Sequence, residues 1–230
     1  MSDVGSRTLL SPGVSQFPVE WYFDEKLFEL EKKLIFDAGP GYVGHELMVP
    51  EVHDYRSQEW HDHARLVTRQ PDGYYEMSNV CRHRQAIMLQ GAGNAKNIVC
   101  PIHRWTYDTG GELIGAPHFP ANPCLNLAKQ KLENWQGLLF KGPRSPIADL
   151  AGMKVAGELD FTGFKLDHVE LHQCNYNWKT FIEVYLEDYH VAPYHPGLGG
   201  FVTCDDLTWQ FGDWYSVQRV GITSLAKPGS

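Results

Sequence analysis

Two cysteines and two histidines form a regular pattern in the middle of the sequence. Cys81 is followed two positions later by His83, and Cys100 is followed three positions later by His103, with sixteen residues between His83 and Cys100. Thiolates and neutral imidazoles at such spacings bind zinc or iron–sulfur clusters. These four residues therefore predict a single metal centre built by two segments of the chain.

The order of the residues within each pair favours an iron–sulfur centre. In a Rieske centre, both Cys bind one iron of a [2Fe–2S] cluster and both His bind the other. Two loops that each carry a Cys and a His can give each iron one ligand per loop. Because neutral imidazoles replace anionic thiolates, such a cluster accepts an electron more readily. A structural zinc site stays an alternative, since zinc motifs use similar spacings.

A second group lies in NYNWKTFIEVYLEDYHVAPYHPG, residues 175–197. The apolar periodicity predicts a helix over 178–190, on which Glu187 and His190 share a face. Pro193 and Pro196 are expected to end this helix, so the chain can turn and bring His195 to the same metal. Two His and a carboxylate are typical of mononuclear Fe(II) oxygenases. The alternative is that the His only stabilise an aromatic helix end.

The first two thirds of the chain predict a helix followed by a β domain. Residues 24–36 have helical spacing, with Asp24 as the N-cap and a stop at 39–41. Residues 42–142 hold short β-runs between turns such as Pro71-Asp72-Gly73, which predicts an antiparallel sheet structure. Residues 143–157 are rich in Pro, Gly and Ala and predict a linker.

The remaining residues, 158–230, predict a second, mixed region. Residues 164–177 have the pattern of a strand, and the helix over 178–190 follows it. The last thirty residues, with four aromatic side chains between Trp209 and Tyr215, predict further strands. The sequence as a whole therefore predicts an α+β protein.

Composition excludes several classes of protein. The 230 residues carry a formal net charge of −8 without a cluster of Lys and Arg, so nucleic acid is not an expected partner. The sequence holds neither a run of about 18 apolar residues nor a signal-peptide core, so we expect a cytoplasmic protein without a membrane span. Three Cys belong to no motif and are expected to be buried: Cys124, Cys174 and Cys204.

The motifs resemble one family. CRHR and CPIHRWTYDTGGELIG resemble the Rieske domain of the non-heme iron, ring-hydroxylating oxygenases, and NWK…E…YH…HP resembles their catalytic α subunit. Two positions depart from that pattern: Ile102, where Tyr is usual, and Arg104, where a small residue is commoner. The resemblance implies an antiparallel β Rieske domain at 42–142. It also implies the first part of a helix-grip-like catalytic domain at 158–230, with the helical segment 1–41 packed on it.

The same resemblance implies two cofactors. A [2Fe–2S] cluster would be held by Cys81, His83, Cys100 and His103. A mononuclear Fe(II) would be held by His190 and His195. Glu187 would be the catalytic residue that bridges to a Rieske His of the neighbouring subunit in a homotrimer, and Glu183 matches a recurring acidic position of the family. The third ligand would come from an acidic helix beyond Ser230, which implies a truncated chain. The carboxylates available within the chain are Asp205, Asp206 and Asp213.

The expected function is that of an oxygenase component. It would hydroxylate or demethylate an apolar, aromatic substrate with O₂, as in aromatic hydrocarbon catabolism. Its electrons would come from NAD(P)H through a ferredoxin, a flavin reductase or both, because the sequence has no dinucleotide-binding fingerprint. The alternative is a Rieske electron-transfer protein, or an oxygenase fragment without activity of its own. Two irons per chain would indicate the carrier, and three the oxygenase.

Overall fold

The computed structural model of the chain describes residues 17–187 and 190–222. Within them, an α-helix α1 spans Glu25–Glu31 and continues as a π-helical turn over Lys32–Phe36. The other helices are short: α2 Pro146–Asp149, α3 Trp178–Tyr185, α4 Val191–Tyr194 and α5 Pro196–Gly199. No helix in this part of the chain is both long and apolar enough to cross a bilayer.

The strands of the described residues pair antiparallel throughout. They are β1 Gly41–His45, β2 Asp54–Ser57, β3 Arg65–Gln70, β4 Gly73–Ser78, β5 Ala92–Asn94, β6 Asn97–Val99, β7 Thr106–Asp108, β8 Leu113–Gly115, β9 Lys129–Lys131, β10 Glu133–Trp135, β11 Leu138–Lys141, β12 Val202–Phe211 and β13 Ser216–Ile222. Their sheets have the orders β5-β2-β3-β4-β9, β1-β11-β10, β6-β7-β8 and β12-β13. The predicted α+β class with antiparallel sheets is confirmed.

The turn residues set the register of the hairpins. Gln70 pairs with Gly73, so Pro71 and Asp72 form a two-residue connection between β3 and β4, as predicted. A turn at 108–111 joins β7 to β8, and Gly111 adopts a φ of +82° there. This turn matters for the site because it holds β7 and β8 next to β6, the strand that leads into Cys100.

The core of the β region consists of two apolar clusters. The larger cluster surrounds the first candidate site and includes both of its cysteines together with Trp105, Tyr107 and Leu66. The smaller cluster packs between β1, β3 and β11 and is formed by Val43, Val49, Val67, Leu132 and Leu139. The site is thus part of the main core and not an appendage on a surface loop.

The N-terminal helix begins as the sequence predicts. The Asp24 side chain accepts hydrogen bonds from the backbone N–H groups of Lys26 and Leu27 at 2.8 and 3.2 Å. This caps two of the free N–H groups at the helix start. The helical region ends before Gly39, and β1 begins at Gly41, so the predicted stop is confirmed.

Three predictions for the second region are wrong. Residues 164–177 do not form a strand in the structure, because no strand of the described residues pairs with them. The helix α3 ends at Tyr185 and not at His190, so Glu187 lies outside it. Pro193 does not end this helix either, because it lies within the separate short helix α4, and Pro196 begins α5. The predicted strands near the end are present as β12 and β13.

Candidate metal centres

The first ligand loop closes on its own backbone. The N–H of Cys81 donates to the carbonyl of Ala86 at 2.9 Å, and the N–H of Gln85 donates to the carbonyl of Cys81 at 3.0 Å. Gln85 has a φ of +57°, which places it in the left-handed region. The loop is therefore a tight turn that presents His83 at its tip.

The second ligand loop repeats this arrangement. The N–H of Cys100 donates to the carbonyl of Trp105 at 2.8 Å, and the N–H of Arg104 donates to the carbonyl of Cys100 at 3.1 Å. Arg104 has a φ of +61°, the counterpart of Gln85. A residue with a Cβ atom in the left-handed region costs about 1–2 kcal/mol whatever the length of its side chain, so among small residues only glycine would relieve this strain at the Arg104 position.

The two loops place the two predicted His ligands against each other and both predicted Cys ligands in one buried cluster. Cys81 and Cys100 are 1% and 2% exposed and carry free thiols. The rings of His83 and His103 face each other with centroids 4.7 Å apart. His83 is half-buried, whereas His103 is exposed. Burial, the positive charge of His103 and that of Arg84 lower the pKa of His83, which favours the neutral imidazole that metals bind.

The donor set fits a Rieske cluster. The Nδ1 atom of His83 is buried and has no hydrogen-bond partner, so a nitrogen with a free lone pair can point inward beside two buried thiols. Among the described residues, no three His, Cys, Asp or Glu side chains converge on one point. A Rieske cluster does not require such a triple, because each of its irons takes only two side chains.

Aromatic side chains enclose this centre. Trp105 is 1% exposed and stacks on His83 with the ring centroids 4.8 Å apart and the planes at 7°. Phe119 packs edge-on against both Trp105 and His83, at 5.2 and 5.9 Å. Trp105 also belongs to the same buried cluster as both cysteines, which places it to shield the thiols from water. Phe119 was missed, since an isolated Phe in a loop gives no local signal.

Tyr107 is a second residue that the sequence did not reveal. Its hydroxyl accepts a hydrogen bond from the N–H of Arg82 at 3.0 Å and lies 3.6 Å from the Sγ of Cys81. Burial raises the pKa of Tyr107 well above its usual value, so the hydroxyl keeps its proton and can donate it toward the sulfur. Cys81 and Tyr107 lie 26 positions apart, so no local pattern in the sequence indicates this contact.

The second candidate site lies beyond the end of α3. The ring centroids of His190 and His195 are 5.4 Å apart. The Oε1 of Glu187 lies 2.5 Å from the Nδ1 of His190, and its Oε2 accepts the His190 backbone N–H at 3.3 Å. Because the Nδ1 of His190 is engaged by a carboxylate, its Nε2 is left free to bind a metal.

These three residues line a cavity of about 390 Å³. The other lining residues are Val184, Tyr185, Val191, Leu198, Gln218 and Val220. The cavity lies between the end of α3, the helices α4 and α5, and the strand β13. It combines an apolar wall with a small number of polar groups, as ligand sites commonly do.

Other predicted residues are not part of these sites. Asp213 lies exposed in the turn between β12 and β13 and does not line the cavity, and the side chains of Asp205 and Asp206 lie outside the described residues. Cys124 and Cys174 are exposed, so the prediction that they are buried is wrong. Cys124 stands in a loop and Cys174 in the unpaired segment 164–177, where neither meets the core. The side chain of Cys204 lies outside the described residues.

Comparison with known proteins shows which protein families and relatives the chain is similar to. Residues 42–132 match the Rieske [2Fe-2S] domain, and residues 158–227 match the catalytic domain of the ring hydroxylating alpha subunit. The chain is 61% identical to a putrescine 2-hydroxylase of Ralstonia nicotianae over 231 residues, covering 100% of this chain and 63% of that protein. It is 54% identical to a putrescine 2-hydroxylase of Bordetella bronchiseptica, covering 100% of this chain and 57% of that protein. The chain thus spans about three fifths of the length of these relatives.

Solved structures agree with this placement. A quaternary ammonium Rieske monooxygenase in complex with L-carnitine matches with a TM-score of 0.73 and 26% identity over 88% of this chain and 61% of that chain. Naphthalene 1,2-dioxygenase with indole in its active site matches with a TM-score of 0.59 and 26% identity over 76% of this chain and 43% of that one.

Fold, ligand pattern and matches together define an iron protein with a Rieske domain followed by a mononuclear-iron domain. The chain belongs to the Rieske non-heme iron oxygenases, as part of their oxygenase component. The cofactors of this family are a [2Fe–2S] cluster and a mononuclear non-heme iron.

Proposed function

We propose that this chain is the oxygenase component of a system that hydroxylates a small aliphatic amine, with a diamine such as putrescine as the first candidate. The observation that carries the proposal is the presence of two separate ligand sets in one chain. One is the loop pair around Cys81 and Cys100, and the other is the His190–His195 pair beside a cavity. An electron carrier would need only the first set.

The four loop residues are assigned to the cluster. Cys81 and Cys100 would hold one iron, and His83 and His103 the other. When bound, the two iron centres would supply single electrons and the activation of O₂. The protein contributes a dry environment around the buried thiols through Trp105, while the exposed His103 gives the centre an open side.

His190 and His195 are assigned to the mononuclear iron, with Glu187 as the residue that orients His190. Its carboxylate fixes the Nδ1–H tautomer of His190, which keeps the Nε2 available for the metal. A carboxylate has further lone pairs, so the same Glu187 can also accept a bond from a Rieske His of a neighbouring subunit. This bridge is the reason for proposing a homotrimer, and a related monooxygenase structure is described in terms of inter-subunit electron transfer.

The proposed substrate is an aliphatic amine and not the aromatic compound expected from the sequence. The relatives at 61% and 54% identity are putrescine hydroxylases, and an Escherichia coli carnitine monooxygenase subunit is 29% identical over 208 residues, covering 82% of this chain and 54% of that protein. The cavity offers apolar contacts from Val184, Val191 and Leu198 to a methylene chain. Tyr185 and the Gln218 amide can meet an ammonium group through the ring face and a carbonyl oxygen.

A hydroxylation of this kind inserts one oxygen atom of O₂ into a C–H bond and releases the other as water, with two electrons and two protons taken up. The electrons would come from NAD(P)H through a separate ferredoxin, a flavin reductase or both. The rival hypothesis is a Rieske electron-transfer protein that binds no mononuclear iron.

The test uses the full-length, iron-loaded protein with a suitable reductase. We expect three irons per chain, O₂ consumption stimulated by putrescine, and a product heavier by one oxygen atom in mass spectrometry. Naphthalene serves as the aromatic control and should not stimulate O₂ consumption. Two irons per chain without any amine-stimulated O₂ uptake would refute the oxygenase and leave the electron carrier.

A further inference from the structure

The N-terminal helix holds the first turn of α3 through a buried carboxylate. Glu31, on α1, is 9% exposed. Its Oε1 accepts a bond from the Nζ of Lys179 at 2.6 Å, and its Oε2 accepts a bond from the indole N–H of Trp178 at 2.9 Å. The Lys179 side chain is itself only 12% exposed. Both oxygens of one carboxylate are therefore used to hold two successive residues of α3.

A second set of contacts joins the N-terminal segment to both ends of α3. Asn177, the N-cap of α3, accepts the N–H of Lys179 with its Oδ1 at 3.0 Å and donates its Nδ2–H to the carbonyl of Tyr22 at 3.0 Å. The Tyr22 hydroxyl donates to the carboxylate of Glu183. The segment Tyr22–Glu31 thus contacts α3 at its start and within its last turn.

These polar contacts matter because α3 has little else to fix it among the described residues. A helix of eight residues is marginal by itself, so its position depends on tertiary contacts. Most of its apolar side chains are 44% to 64% exposed: Phe181, Ile182, Val184 and Tyr185. Among the described residues, the edge-on contact of the Trp178 ring with Phe36, at 5.2 Å between centroids, is the main apolar contact of α3, whereas the contacts of Glu31 and Tyr22 are directional and restrict its rotation.

The position of α3 determines the position of the second candidate site. The helix ends at Tyr185, two residues before Glu187, and Tyr185 and Val184 line the same cavity as Glu187 and His190. A shift or rotation of α3 would carry Glu187 with it. Because Glu187 holds the Nδ1 of His190 at 2.5 Å, the imidazole would move or lose its orienting partner.

We propose that the segment Tyr22–Glu31 positions the mononuclear iron site, with Glu31 and Tyr22 as positioning residues that act through α3 on Glu187 and His190. This inference rests on the proposed function, since it takes His190 and His195 as iron ligands. In some proteins a buried ion pair fixes a packing register rather than adding stability, and we assign that role to Glu31 and Lys179.

The test compares four single variants of the full-length, cluster-loaded protein. Glu31→Ala removes both acceptors, Glu31→Gln keeps an amide oxygen that can accept one of the two bonds, and Tyr22→Phe removes only the hydroxyl that reaches Glu183. Glu29→Gln is the matched control, because Glu29 lies on the same helix and forms an exposed pair with Lys32 at 2.8 Å.

Two measurements separate positioning from a loss of general stability. The first is the affinity for Fe(II) at the mononuclear site, followed by the EPR spectrum of the ferrous–nitrosyl complex. The second is amide hydrogen exchange of residues 178–187 in protein that lacks this iron. The EPR signal of the Rieske cluster, which is bound elsewhere in the chain, reports whether the rest of the protein is intact.

We expect Glu31→Ala to weaken Fe(II) binding about 10–100-fold, as loss of supporting contacts does at other metal sites, and to speed exchange in α3. Glu31→Gln should have a smaller effect, and Glu29→Gln should leave both measurements unchanged. If Glu31→Ala also loses the Rieske signal, the positioning role is judged from Tyr22→Phe, because that variant lacks only one hydroxyl and disturbs the fold least. The inference would be overturned if Tyr22→Phe, and Glu31→Ala where it stays intact, kept the Fe(II) affinity, the nitrosyl spectrum and the α3 hydrogen exchange of the wild type.

The double variant His190→Ala/His195→Ala tests the underlying assignment separately. Retention of the third iron in that variant would refute the proposed iron site itself. Loss of the third iron there, combined with unaffected Glu31→Ala and Tyr22→Phe proteins, would refute only the positioning role.

Discussion

The substitution Tyr107→Phe tests the contact between the β7 tyrosine and the first cysteine. The hydroxyl lies 3.6 Å from the Sγ of Cys81, and because it already accepts the N–H of Arg82 at 3.0 Å, its own proton is free to point at the sulfur. A reduced cluster carries more negative charge on its sulfur atoms than an oxidised one. The hydroxyl should therefore stabilise the reduced form and raise the midpoint potential.

The size of the effect follows from the energy of one hydrogen bond. A neutral hydrogen bond contributes about 1 kcal/mol net. The potential responds only to the difference in bond energy between the reduced and the oxidised cluster. With about 59 mV per about 1.4 kcal/mol for a one-electron couple, we expect Tyr107→Phe to lower the potential by an amount whose upper limit is roughly 40 mV. The substitution also leaves the Arg82 N–H without its partner, which should cost about 1–3 kcal/mol of domain stability.

The potential can be measured by EPR-monitored redox titration of the cluster at fixed pH and ionic strength. Tyr75→Phe is the control, because the Tyr75 hydroxyl bonds to Asp72 at 2.7 Å on the surface of the same domain. Its potential should match that of the wild type. An unchanged or raised potential in Tyr107→Phe, with an intact cluster spectrum, would show that the hydroxyl does not donate to the sulfur.

Three further predictions concern stability and turnover. Burial lowers the pKa of His45, so the free energy of unfolding should be highest above pH about 6.5 and should fall below it, where the unfolded chain binds a proton that the folded chain does not, until the lowered pKa is reached. His45→Asn keeps an acceptor for the Leu47 N–H and should lack this loss in urea titrations. Parallel pH curves for the wild type and the variant would contradict the assignment. Gly137→Ala should destabilise the protein by more than the cost of about 1–2 kcal/mol for a left-handed residue, because at φ +84° the new Cβ would lie 2.7 Å from the His45 ring. Gly91→Ala is the control for the backbone cost alone, since at φ +70° its Cβ would have no atom within 4 Å. Equal shifts of the melting temperature in the two variants would rule out the clash. Glu187→Gln keeps an amide oxygen that can accept the Nδ1–H of His190, so both metals should stay bound, but loss of the carboxylate should reduce turnover about 10–100-fold. Unchanged turnover with intact metals would remove the proposed bridge.

The features that could be predicted from the sequence are those with local causes. Turn residues such as Pro71-Asp72-Gly73 set the hairpins without reference to distant parts of the chain. The ligand pairs could be recognised because each Cys and its His belong to the same loop. Asp24 could be recognised as an N-cap because the N–H groups it accepts are two and three residues away.

The features that could not be predicted from the sequence depend on contacts between residues that are far apart in the chain. Residues 164–177 alternate like a strand, but alternation does not supply a neighbouring strand to pair with. The periodicity of 178–190 continued past Tyr185, where no Gly or Pro marks the end of α3. Glu187 still meets His190, through a direct side-chain bond and not through a shared helix face. The contact of Tyr107 with Cys81 spans 26 positions and has no local signature.

The matching closure of the two ligand loops has a consequence for how the site tolerates substitution. Each loop is held by its own main-chain bonds, at Cys81 and at Cys100, and by one left-handed residue. Because these bonds join backbone atoms, the shape of each loop depends little on the side chains that it carries. Replacing a single ligand should therefore change which donor atoms are on offer without reshaping the loop that presents them.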